Sequence, residues 1–229
     1  MHTSKEDAYR ELVKDAKDSY ASKELSLYWH PECEEINLWT YWQGRGCLDA
    51  KIMLVGQDWG SPTDDSGTAT MRQVQRANKN LPYQYLKNNP SITDKNLKYL
   101  FNVLGYDISE KQEDLFFTNF ILGYRYKGFS GGYSQAWAKH DKDFMKRLIN
   151  IVSPKVVLCL GRATFEGVLS SFACQLSPKI KGYNAFIESM RNPVPVELED
   201  GTVTYVFALA HCGAMGTLNR NRRKVSSDQ

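Results

Sequence analysis

The stretch Lys51-Ile-Met-Leu-Val-Gly-Gln-Asp-Trp-Gly60 decides the fold. Its apolar run, Ile52 to Val55, is too short for a buried helix and reads as a strand covered on both faces. It then breaks at Gly56 and delivers Gln57 and Asp58 to a loop. A strand that ends on a carboxylate carries that group to the edge of a sheet, where open α/β folds bind their ligands. Thr204-Tyr-Val-Phe-Ala-Leu-Ala-His211 has the same form and ends on the histidine of His211-Cys-Gly-Ala-Met-Gly216. An acid and a histidine far apart in sequence are therefore expected on one rim.

Working outward, strands are expected at Lys51 to Gln57, Leu115 to Phe120, Lys155 to Leu160 and Val203 to Ala210. Helical patterns are read from Ser4 to about Lys23, Thr70 to Lys87, Asp94 to Leu104, Ser134 to Ile151 and Ala163 to Ser171, with Gly105 and Pro154 as boundary signals. Such alternation argues a single α/β domain, a central four-stranded parallel sheet flanked by helices on both faces. Residues 1–50 are expected to form a helical and aromatic cover of the same domain, and residues 51–229 its core. Tyr28, Trp29, Trp39, Tyr41 and Trp42 crowd that cover, packed over the sheet or presented to single-stranded bases. His140, on the helix read from Ser134, is expected at the surface.

Composition narrows the class. With 229 residues, 42% hydrophobic and 24% charged, the chain belongs among ordinary globular proteins rather than disordered or fibrous ones. Its five cysteines are odd in number, scattered and without a C-x-x-C pair, which argues against a disulfide framework or a zinc ribbon and suits a reducing cytoplasm. Neither a leader nor an apolar run of about 18 residues is read, so a soluble intracellular protein without a membrane partner is expected. A net charge of +3 does not by itself announce a nucleic-acid binder. Yet Arg220, Arg222, Arg223 and Lys224 crowd the segment after His211, either as a solvated end or as a phosphate-facing patch.

Where each strand stops matters most. Asp58, Asn119, Gly161 and His211 follow the four strands, and in a parallel sheet those ends share one edge. An amide offers a donor and an acceptor side by side, which suits the edge of a nucleobase. A histidine donates where negative charge develops, and an aspartate stabilises positive charge or orients water. The set fits cleavage of a bond to a base better than acyl transfer, since no serine nucleophile elbow is present. Plainer roles stand beside these: Asp58 in a turn, Asn119 satisfying buried backbone groups, His211 as a satisfied core histidine. Cys212 as a thiol nucleophile lacks an identifiable second base.

At these residues the chain resembles the uracil-DNA glycosylase superfamily. Gly56-Gln57-Asp58 is similar to the start of its first motif, and the closing Gly60 to the G-x-x-P-G form of other branches. Thr118-Asn119-Phe120 resembles the strand whose asparagine reads uracil, the segment Ser153 to Thr164 the strand and helix start between the motifs, and Ala210-His211 the second motif. The likeness runs from Lys51 to Asn221 with order and spacing preserved. It implies a monomeric, uracil-DNA glycosylase-like DNA repair enzyme that flips a nucleotide out of the stack and hydrolyses its N-glycosidic bond, with no metal or redox cofactor. Asp58 and His211 would be catalytic, the first beside the oxocarbenium-like sugar and the attacking water, the second donating to O2 of the leaving base. Gly56, Gln57, Trp59, Gly60 and Asn119 would hold the substrate. Gly213, Met215, Leu218, Arg220 and Arg222 would meet DNA, with Leu218 or Met215 as the wedge and the arginines on phosphates.

The chain also departs from the family. Cys212-Gly213 replaces the usual Pro-Ser, removing a rigid turn and a phosphate-binding hydroxyl. Trp59-Gly60-Ser61 replaces Pro-Tyr-His, removing the tyrosine that would block a 5-methyl group, and Trp59, Tyr83 and Tyr85 compete as the aromatic that stacks on the base. The closely spaced cysteine pair of the iron-sulfur branch is lacking. Three alternatives follow: a degenerate relative that binds DNA or a base without cutting, a hydrolase of free nucleosides or nucleotides, and a non-enzymatic interaction protein.

Overall fold

A computed structural model describes residues 4–22, 27–28, 47–58, 92–110, 112–122, 124–125, 135–174, 188 and 190–213. Four helices are described: α1 (Lys5–Ser22), α2 (Ile92–Val103), α3 (Gln135–Val152) and α4 (Arg162–Ser171). The strands are β1 (Leu27–Tyr28), β2 (Ile52–Gly56), β3 (Leu115–Asn119), β4 (Tyr124–Arg125), β5 (Val156–Leu160), β6 (Val194–Glu197) and β7 (Val203–Leu209). The helix expected at 70–87 lies outside the described residues, as do Trp29, Trp39, Tyr41, Trp42, Tyr83 and Tyr85.

Among the described residues the main sheet has five strands in the order β3-β2-β5-β7-β6. The four expected strands are parallel neighbours, with Gly56 level with Asn119 and Cys159 with Ala208. The expectation of a purely parallel, four-stranded sheet is corrected by β6, which adds an antiparallel edge against β7, Val194 facing Val206. Pro195 explains both its place and why it escaped the sequence reading. Proline cannot donate to the ladder, so a strand carrying one belongs at an edge, and its pattern reads as a loop. A separate two-residue ladder joins β1 to β4.

Side chains alternate across the sheet as pleating requires. Met53, Val55, Phe116, Val157, Cys159, Val206 and Ala208 face one core, shared with Leu12 of α1, Leu148 of α3 and Phe165 of α4. Leu54, Leu115, Phe117, Leu158 and Leu160 face the other, closed by Leu97 and Phe101 of α2. Both faces of β2, β3 and β5 are thus dry, which is why their sequences are almost wholly apolar.

Local chemistry sets the ends. Ser4 caps α1 by accepting from the Asp7 amide at 3.1 Å. Gly105, at φ +87°, closes α2, with the Tyr106 amide reaching back to the Phe101 carbonyl at 2.8 Å. At the foot of the sheet, Ser153 donates to Asp200 at 3.0 Å and ties the β6–β7 turn to the exit of α3. The expectation for His140 is corrected: its side chain is only 3% exposed, because α1 packs over α3 and covers it.

Candidate active site

The carboxyl ends of β2, β3, β5 and β7 form one rim. The ladder between β2 and β3 is extended past the strands: the Phe120 amide donates to the Gly56 carbonyl at 2.8 Å and the Ile121 amide to that of Gln57 at 3.1 Å. Asp58 and Asn119 therefore leave adjacent strands from a laced junction. The third strand ends at Gly161, whose amide donates to the Leu209 carbonyl at 2.7 Å. Its φ of +91° starts α4, and a Cβ built on it would stand 3.8 Å from Cδ2 of His211. Backbone and imidazole thus lie against each other. With strands about 4.8 Å apart, the exits of β2 and β7, two steps apart, are about 10 Å from each other, room for a nucleoside.

Asn119 is 2% exposed, and its Oδ1 is buried without a hydrogen-bond donor among the described residues. An unmet buried acceptor costs about 1–3 kcal/mol, and among the described residues Asn150 Nδ2, Thr164 Oγ1 and Thr204 Oγ1 are also buried without a partner, but of the four only Asn119 Oδ1 stands at a strand end on the rim. An N–H donor on a ligand would satisfy it.

His211 is exposed, so it is not a core histidine. Its Nδ1 accepts the Gly213 amide at 2.9 Å. In the neutral ring the proton then belongs to Nε2, which makes that nitrogen a donor. The same turn is held from α2, where Asn96 Nδ2 donates to the Cys212 carbonyl at 2.7 Å. Gly213 is buried beneath the ring: a Cβ there would lie 2.8 Å from Cε1 of His211 and 2.9 Å from Nδ1. Cys212 is 8% exposed, with its sulfur 3.8 Å from the Ala210 carbonyl, and belongs to the α2-side core.

Asp58 is half-buried and accepts from Gln57 Nε2 on Oδ2 at 3.0 Å. Gln57 thus orients the carboxylate. Neither Asn96 nor Gly161 was assigned a role from sequence. Gly161 ends an expected strand, whereas Asn96 lies 116 residues from its partner and carries no local signal. Trp59, Gly60, Met215, Leu218, Arg220 and Arg222 lie outside the described residues, as do Arg223 and Lys224. Among the described residues no cluster of histidine, cysteine, aspartate and glutamate could hold a metal ion. Nor is any described helix long and apolar enough to cross a membrane. No protein-family model matches the chain, and no curated protein sequence matches it.

Proposed function

We propose that the protein is a uracil-type DNA glycosylase, releasing uracil or a related pyrimidine from DNA by hydrolysis of the N-glycosidic bond. The observation that supports this reading is the Oδ1 of Asn119, buried and unmet among the described residues, on the rim that also bears Asp58 and His211. A uracil edge presents an N–H donor beside a carbonyl, the complement of an asparagine amide. The Nδ1 bond that leaves His211 donating from Nε2 supports its role toward a base that departs as an anion. Asp58, steadied by Gln57, suits the sugar that gains positive charge as the bond breaks, and the water that adds to C1′. Water oxygen ends on the sugar, its proton goes to solvent or base, and the products are an abasic site and free base.

The test is incubation with single- and double-stranded oligonucleotides carrying one uracil, followed by alkali. Cleavage by the parent that falls at least about 1000-fold in Asp58→Asn and about 100-fold in His211→Ala supports the reading, the second being the usual loss for one donor to a developing anion. A second reading, a relative that binds without cutting, is favoured by the turn after His211. The Gly213 amide is engaged with the imidazole and Cys212 is buried, which on this second reading weakens the grip on a phosphate. DNA binding by a parent that yields no product selects it.

A further inference from the structure

Asp141 of α3 is fully buried, and its carboxylate gathers donors from three parts of the chain. Tyr20 of α1 donates its hydroxyl at 2.6 Å to Oδ1 and 2.5 Å to Oδ2. His140 Nδ1 lies 2.6 Å from Oδ1, and its Nε2 is 2.9 Å from Ser19 Oγ. The third donor is the backbone amide of Leu122, at 2.8 Å from Oδ2. Ser19, His140 and Asp141 have the connectivity of a hydrolase relay, but the imidazole is 3% exposed and Asp141 also binds main chain, a holding arrangement rather than a reacting one.

Leu122 is three residues beyond Asn119. The amides that follow Asn119 are fixed in succession: Phe120 and Ile121 to carbonyls at the exit of β2, and Leu122 to Asp141. Two of the three bonds hold the segment to the neighbouring strand, and the third holds it to α3 and, through Tyr20, to α1. We propose that Asp141 is a positioning residue that fixes the turn 120–122 and with it the amide of Asn119, and that α1 serves the site by completing that carboxylate's shell. The catalytic consequence rests on the glycosylase reading above; the positioning does not.

The control is built into the same helix pair. Arg147 of α3 donates to Asp15 of α1 at 2.7 Å, a second link between the two helices. The experiment compares parent, Asp141→Ala, the milder Tyr20→Phe and Asp15→Ala by amide hydrogen exchange and by single-turnover release of uracil from an oligonucleotide. Exchange at Leu122 should quicken about ten-fold or more in Asp141→Ala and less in Tyr20→Phe, the change implied by losing one buried hydrogen bond. Uracil release should slow by about 10- to 100-fold in Asp141→Ala, while affinity for undamaged DNA stays within about two-fold. Asp15→Ala should change neither. Unaltered exchange over 120–122 in both Asp141→Ala and Tyr20→Phe, equal change in Asp15→Ala, or faster exchange with undiminished release overturns the proposal. Should the parent release no base, the glycosylase reading falls, and the exchange comparison alone decides the positioning.

Discussion

At the scale of single residues, the proposed function has a stability side that can be measured. Asn119 keeps a buried acceptor unmet among the described residues. Replacing it by leucine, of similar volume, should leave Tm unchanged or raise it, by up to about 1–3 kcal/mol of stability, while abolishing release of base. Calorimetry and the excision assay on one preparation check the two halves. Gly213 makes the opposite case. A methyl group there would press within 3 Å of two ring atoms of His211, at 2.8 and 2.9 Å, so Gly213→Ala must turn the imidazole or break its Nδ1 bond. On the proposed function, excision should drop about 100-fold, as displacement by about 1 Å of the group proposed to act on the base implies, with Tm little altered. An unchanged single-turnover rate would contradict the placement of His211. The sequence made Asp58, Asn119 and His211 visible as strand ends, because alternation and breakers are local signals. Asn96, the pinning of Nδ1 and the burial of Gly213 were invisible to it, since each depends on a contact made across the fold.

At the scale of elements, the four parallel strands and four of the five expected helices are where the periodicity put them; the fifth lies outside the described residues. β6 was missed because the features that suit it to an edge, Pro193 and Pro195, look like loop in a linear reading. His140 was misread because α3 is covered on a second side by α1, which a single helix's pattern does not reveal. The β6–β7 turn carries a pH prediction. The hydroxyl and then the amide of Thr202 hold the Asp200 carboxyl below its ordinary value. A carboxyl lowered in the folded state stabilises above the unfolded pKa of about 3.9 and loses that contribution as pH falls through its folded value. Asp200→Asn should therefore lower Tm at neutral pH, and its difference from the parent should vanish in stronger acid. A difference independent of pH would remove the carboxylate from the explanation.

At the scale of the whole molecule, one sheet brings together exits from β2, β3, β5 and β7, drawn from residues 56 to 211 of the chain. Two dry cores hold those exits in place, and α1 reaches the rim through Tyr20 and Asp141. If DNA is the substrate, several phosphates must be met, and affinity should fall steeply as salt rises; flat affinity would favour a hydrolase of free nucleosides. The most direct measurement is detection of free uracil by mass spectrometry after incubation of uracil-containing DNA with the parent and with Asn119→Leu. Free uracil and a matching number of abasic sites from the parent, with none from an equally stable Asn119→Leu, is the expected result. No uracil from the parent, or equal release by both, contradicts the assignment.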